Sequence, residues 1–276
     1  MRAVETRVSS RYRVLAVLLM ALTEVGLQKL LDHIDLRQLR RIRKRVLQAE
    51  GYGSQKIMIR DEVRALLDGV ESEDQSLCVI DGGANIGEYT AEILAQSPSA
   101  TVLSFEPSPE SFQILAARFE NDQRVKAIRK ALGESSSKQQ LFSDYKGSSL
   151  SSLVDRDLRH FGLVFGESVE VEVVRLSDWL ANNFFQPLAL KLDIEGTELR
   201  VLEDAVHNIE SLQTIAFEFG GANLDSRTIF RDFWNIFSEN SWAVYRITTR
   251  GLIEISSYSE FDEVYVKCDY VARRRS

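Results

Sequence analysis

The stretch "CVIDGGANIGEYT", residues 78–90, decides how the rest of this chain is read. Cys78, Val79 and Ile80 have the character of a buried strand, Asp81 to Gly87 that of a tight turn, and the residues beyond that of a helix. A strand that runs into a glycine-rich turn and then a helix commonly opens a ligand site in α/β folds, because small residues let the backbone close around the ligand. Two frames fit the turn. Gly82-x-Ala84-x-x-Gly87 approximates a dinucleotide fingerprint, but alanine stands where the middle glycine would admit a pyrophosphate. The frame Asp81-x-Gly83-x-Asn85-x-Gly87 fits better, and its acid at the strand end suits a ligand carrying positive charge and an amino group.

Working outward, short apolar runs alternate with amphipathic ones. Residues 77–81, 101–106 and 125–132 read as strands, and 87–96 and 109–119 as helices. The alternation resumes with a strand over 188–193, a helix over 196–206, a strand over 214–219 and a helix through "TIFRDFWNIFSEN". Such a pattern predicts a parallel sheet with helices on both faces. Three closing β-like runs, "WAVYRIT", "GLIEI" and "DEVYVKCDYVA", predict a terminal hairpin that makes the sheet mixed. The middle, "QQLFSDYKGSSLSSLVDRDLRHFG", reads as an insertion with a serine-rich loop, and the period of two in "VEVEVVRL" as a half-exposed strand.

Composition bounds the answer. A chain of 276 residues, 44% hydrophobic and 27% charged, is long enough for one large α/β domain with a small appendage. We place a basic helical appendage at residues 1–60 and the main domain at 61–276. The net charge of −7 gives no reason to expect nucleic acid as a partner. Cys78 and Cys268, both in predicted strands, read as free core thiols in a reducing, cytoplasmic setting. "VLAVLLMAL", residues 14–22, is too short to span a bilayer and has no clean cleavage site after it. It is expected to form a helix that packs on the domain or a partner. The basic run "RRIRKR", residues 40–45, adds peripheral contact with a membrane at its cytoplasmic face as an alternative. The oligomeric state is not written in the chain.

Two further motifs point to the same crevice. In "SFEPSPE", Glu106 ends the second strand, where a carboxylate can hold both hydroxyls of a ribose. In "LALKLDIEGTELRVLEDA", Asp193 ends another strand, and strand ends of one sense face one side of an open sheet. Glu195 and Glu198 follow at the start of a helix, where acids also serve simply to complement the helix dipole. Glu218, inside the apolar strand of "IAFEFGGAN", is either paired internally or directed into the site.

These motifs, in this order, resemble the FkbM family of S-adenosylmethionine-dependent methyltransferases. The resemblance rests on "VIDGGANIGEYT", "FEPSPESF", "KALGE", "GSSLSSL", "LSDWL", "KLDIEGTELRVLEDA" and "FEFGGANLDSRTIFRDFW", and spans residues 77–272. The "KLDIEGTE" block is its most specific part, and "GANLD" and "TIF" fall where the family varies. The resemblance implies a class I methyltransferase fold, a Rossmann-like seven-stranded mixed sheet, and methyl transfer to a hydroxyl of a sugar, glycan or small-molecule acceptor. It implies that Asp81, Gly83, Asn85 and Gly87 surround the methionine part of S-adenosyl-L-methionine, that Glu106 holds the ribose, and that Ala131 and Leu132 lie near the adenine. Asp193 and Glu195 would face the reacting end.

A hydroxyl acceptor must lose a proton, so a carboxylate or histidine within reach is expected. Asp193 and Glu195 are the first candidates, with His160 of the insertion behind them; His33 and His207 read as surface groups. A metal held by Asp193, Glu218 and Asn223 is not demanded by the spacing, and none is expected. The competing readings are a non-catalytic scaffold that keeps the fold and a nicotinamide-dependent oxidoreductase. The intact acids at 81, 106 and 193 speak against the first, and Ala84 against the second.

Overall fold

The computed structural model describes residues 34–53, 57–71 and 77–275. Its contacts divide the chain into residues 1–48 and 49–276. Helix α1 (Leu36–Ala49) reaches the boundary from the first unit. Asp35 caps it by accepting the N–H groups of Arg37 and Gln38 at 2.8 and 2.9 Å. None of its residues is buried, and Leu36, Ile42 and Val46 stand exposed among its arginines. The helix expected over residues 14–22, and His33, lie outside the described residues.

The second unit opens with α2 (Ile59–Leu67). It then alternates through β1 (Cys78–Gly82), α3 (Glu88–Gln96), β2 (Thr101–Phe105), α4 (Pro109–Arg118) and β3 (Val125–Ile128). An excursion follows through β4 (Ala131–Leu132), β5 (Ser137–Ser143), β6 (Glu167–Val174) and helix α5 (Leu176–Asn183). The alternation resumes with β7 (Ala189–Leu192), α6 (Glu198–Asn208), β8 (Thr214–Phe219), the short α7 (Ala222–Asp225) and α8 (Phe230–Glu239). Strands β9 (Trp242–Thr248), β10 (Gly251–Glu254) and β11 (Cys268–Arg274) close the chain.

The main sheet runs β10-β9-β11-β8-β7-β1-β2-β3. The five strands from β8 to β3 are parallel, while β11 is antiparallel to both β8 and β9. The sheet has eight strands rather than the expected seven. The extra one is "GLIE", which turns back on β9 and pairs with it at the edge. Thr248 fixes that turn: its Oγ1 donates to the Gly251 carbonyl at 2.8 Å and accepts the Arg250 N–H at 3.1 Å. The period-two run expected to be half exposed is β6, which pairs with β4 and β5 in a separate three-stranded sheet. Gln139 to Ser143, read as the start of a loop, belongs to β5 of that sheet.

Both faces of the main sheet are covered, as side chains that alternate along a strand require. On one face Val63 and Leu66 of α2 pack with Tyr89 and Ile93 of α3 over Val79 and Ala216. On the other, Phe233 and Phe237 of α8 stack on Phe217, the next residue of β8, at 5.5 and 5.3 Å. Trp242 is buried, Trp234 donates to the Ile255 carbonyl at 3.1 Å, and both cysteines are free and buried. The chain leaves β1 toward β2 and β3 on one side and returns to β7 on the other. The loops after β1 and β7 therefore part, and a crevice opens beyond the carboxyl ends of the strands.

Candidate functional site

The turn after β1 is held open for a ligand by backbone geometry. Gly83 has φ +76°, and a Cβ there would lie 1.9 Å from the carbonyl oxygen of Asp193. The N–H groups of Gly83 and Ala84 donate to the Phe105 carbonyl at 3.0 and 2.9 Å, which docks the turn on β2. Asn85 takes a left-handed conformation, φ +47°, and its N–H donates to Glu106 Oε2 at 2.8 Å. The Ser108 N–H donates to Oε1 at 2.8 Å. Glu106 is thus oriented at both oxygens, and each oxygen keeps a second lone pair for a ligand hydroxyl. Burial pushes its carboxyl up to about 7 despite these two amide bonds. Gly83, Asn85, Glu106, Ala131, Leu132 and Asp193 border a cavity that Ser148, Ser149 and Ser151 also line.

Asp81 and Gly87 belong to the frame beneath this cavity and do not line it. Asp81 is fully buried, accepts the Thr90 hydroxyl at 2.7 Å, and lies 3.1 Å from Lys191 Nζ. Lys191 donates onward to the carbonyls of Gly82 and Gly83 at 3.2 and 3.0 Å, so this buried ion pair ties β7 to the turn. Burial disfavours the lysine charge, but Asp81 and Asp193 outweigh it and raise its pKa. Gly87 starts α3 at φ +82°, with Phe119 and Leu115 pressed against it.

The loop after β7 carries the other predicted residues. Glu195 is left-handed at φ +57°, a conformation that a non-glycine residue keeps only when its surroundings hold it. The buried Arg156 guanidinium pairs with Glu195 and, at 3.3 Å, with Asp225, while Ser152 Oγ donates to the Glu195 carbonyl at 2.6 Å. Burial pushes Glu195 up to about 7, with Asp193 adding and Arg156 opposing. Glu198 lines neither cavity described here; it accepts the N–H groups of Ile194 and Gly196, both at 2.9 Å, and so shapes the loop. His160 is exposed on a short 3-10 turn (Arg159–Phe161) beside Phe161, and lines neither cavity.

A second, smaller cavity lies under α2 and shares Asp193 with the first. Glu62, Tyr89, Lys191, Glu218 and Asp269 line it. Glu218 and Asp269 stand directly opposite each other on β8 and β11, with Lys267 Nζ at 2.5 Å from the first and 4.0 Å from the second. Burial, with Asp269 next, pushes Glu62 up to about 7; burial and Asp193 push Glu218 well above the usual carboxylate range. Among the described residues no group of three His, Cys, Asp or Glu side chains is placed to hold a metal ion. Asn223 is engaged locally, accepting the Gly220 N–H at 2.8 Å and donating to Thr228 at 2.9 Å.

Sequence reasoning missed Glu62, Asp269, Lys191 and Arg156. Lys191 did leave a signal, a charged residue inside the otherwise apolar "LALKL". The others lie far along the chain from the residues they meet.

The Methyltransferase FkbM domain matches residues 81–265. Methyltransferase 1 of Beauveria bassiana (strain ARSEF 2860) is 31% identical over 140 residues, covering 45% of this chain and 56% of that protein. Methyltransferase sdnD of Sordaria araneosa is 32% identical over 152 residues, covering 45% of this chain and 59% of that one. The chain therefore spans between half and two thirds of the length of these curated relatives. Among solved structures, the precorrin-6y C5,15-methyltransferase of Geobacter metallireducens GS-15 is similar at a TM-score of 0.44 and 9% identity, over 82% of this chain and 94% of that one.

Proposed function

We propose that this chain, which belongs to the FkbM methyltransferase family, transfers a methyl group from S-adenosylmethionine to a hydroxyl oxygen of a sugar, glycan or small-molecule acceptor. The observation that carries the reading is Glu106: a desolvated carboxylate at the end of β2, aligned by two backbone amides, with acceptor capacity left on both oxygens beside a cavity that the Gly83–Asn85 turn also borders. Held there, S-adenosylmethionine would supply a methyl electrophile, with the carbon–sulfur electron pair left on sulfur. Glu106 would hold the two ribose hydroxyls, the Gly83–Asn85 turn the methionine part, and Ala131 and Leu132 the base. Asp193 borders both cavities and is the group we assign to take the hydroxyl proton. Glu195 stands behind it, because Arg156 already holds its carboxylate. His160 stands last, exposed on its 3-10 turn. Positioning the acceptor oxygen supplies much of the acceleration.

Calorimetric titration with S-adenosylhomocysteine tests the cofactor. We expect binding, weakened about 30-fold in Glu106→Ala, the scale of losing charge-assisted hydrogen bonds. Binding of NAD alone would support the oxidoreductase reading, and binding of neither the scaffold reading. Residues 1–60 we assign to peripheral contact with an anionic membrane surface, on the strength of the unburied apolar side chains and arginines of α1. Co-sedimentation of the full chain with anionic but not neutral vesicles is the expected result.

A further inference from the structure

We propose that the cavity under α2 receives the protonated amine of the acceptor, so that this chain selects hydroxylated amines, such as amino alcohols or amino sugars, over their uncharged counterparts. The proposal rests on the transfer reading above and names the acceptor class for the same site.

Four carboxylates from four segments converge there: Glu62 of α2, Asp193 after β7, Glu218 of β8 and Asp269 of β11. Sheet register puts Glu218 and Asp269 face to face, an arrangement of like charges that weakens a sheet unless something compensates it. Among the described residues the cations fall short. Lys191 is committed to Asp81 and to the carbonyls of the turn, which leaves Lys267 to serve Glu218 and Asp269. Glu62 has no hydrogen-bond partner for its carboxylate among the described residues. Burial is the first cause of the raised pKa values of Glu62, Glu218 and Asp269, with neighbouring acids adding to it.

Tyr89 is an independent sign of a ligand. Its side chain is 7% exposed and lines the cavity, yet among the described residues its hydroxyl has no hydrogen-bond partner. A buried hydroxyl left unmatched is costly. Its lone pairs accept an ammonium N–H; its ring already has the Lys191 ammonium over it, 5.2 Å from the centroid. This cavity is the smaller of the two and admits an end group rather than a whole acceptor. The rest of the molecule would extend past Asp193 toward the first cavity. A protonated amine has no lone pair to methylate, so the anchoring nitrogen and the reacting oxygen are different atoms.

The test is calorimetric titration of the full chain with trans-2-aminocyclohexanol and with trans-1,2-cyclohexanediol, rings that differ in one ammonium for one hydroxyl. We expect the amine to bind at least about 10-fold more tightly, a preference cut to about 2-fold in Glu62→Gln and in Asp269→Asn. Affinity for the amine should rise between about pH 6 and about pH 8 as Glu62 ionises among Asp193, Glu218, Asp269, Lys191 and Lys267, since ionised carboxylates bind the cation. Glu62→Gln should also raise the unfolding midpoint at about pH 8, which separates relief of repulsion from misfolding. Equal binding of the two rings, or a preference untouched by both substitutions, overturns the proposal. Loss of amine binding in protein saturated with S-adenosylhomocysteine also overturns it, because the cavity then belongs to the ammonium of the cofactor's methionine part. So does displacement of the amine by magnesium. The titrations are run with and without S-adenosylhomocysteine, so a failure of that compound to bind strikes the transfer reading separately.

Discussion

Two cavities meet at Asp193, and they are made of different material. On the β1 side the walls are backbone: the Gly83 turn docks on Phe105, amides of Asn85 and Ser108 align one carboxylate, and small side chains leave the room. On the β8–β11 side the walls are charged side chains, four acids set against Lys267 with Lys191 already engaged. A cavity shaped by backbone hydrogen bonds is preorganised by the scaffold, and its two buried acids, Glu106 and Glu195, are each held by donors of their own. A cavity of crowded carboxylates carries repulsion and desolvation that only a proton or a guest relieves. The first is built to hold one ligand by shape. The second is built to respond to charge.

The sharpest way to break this contrast is to cut the pair that joins the two halves. Lys191→Met leaves Asp81 buried without its counter-ion and frees the carbonyls of the turn, and should cost about 3–5 kcal/mol in chemical denaturation. If the loss is under about 1 kcal/mol, the turn does not depend on the ion pair. Gly83→Ala attacks the backbone wall directly. A Cβ at φ +76°, 1.9 Å from Asp193 O, should cost about 3 kcal/mol and loosen both cavities together. Arg156→Ala sharpens the contrast at Glu195. It unpairs Glu195 and Asp225, and about 2 kcal/mol of stability should go with faster hydrogen exchange in residues 147–157.

The smallest effect is the pH dependence of the ligand-free protein. Glu62, Glu106 and Glu195 are raised from the ordinary 4.5 to about 7. Between those values the folded chain binds more protons than the unfolded one, so stability is fully present below about 4.5 and is lost as pH rises through about 7. For these half-buried and buried groups together the loss should be on the order of 1–2 kcal/mol. Denaturation curves at several pH values check it, and Glu106→Gln should flatten the slope. A stability that rises over this window would show that the carboxylates stay ionised without strain.

What was legible in the sequence was local. Gly83, Asn85, Glu106, Ala131, Leu132 and Asp193 sit at strand ends or in the short runs that follow them, and the parallel order brings those ends to one crevice. Asp81 sits in the same motif, yet Lys191, 110 positions further along the chain, turns it into a strut beneath the site. Glu62 and Asp269 were invisible for a related reason: they meet only because β11 is inserted between β8 and β9 and because α2 lies across that face. Local pattern does not encode strand order. The eighth strand was itself legible as the β-like run "GLIEI"; the count of seven came from the family resemblance, and pairing with β9 is what adds this run to the sheet as its edge.

That eighth strand has a consequence for how the molecule meets other copies of itself. Strand β9 is seven residues long and almost wholly buried, and left at the border it would offer a long row of unpaired amides as a template for fibre growth. The sheet instead ends on strands of four residues at both borders, β10 and β3. At the β10 border Glu254 is paired to Arg275 at 3.3 Å. Short, charged borders give a neighbouring strand too few amides to zip onto, so the second unit carries its own protection against aggregation in the fringe of its sheet.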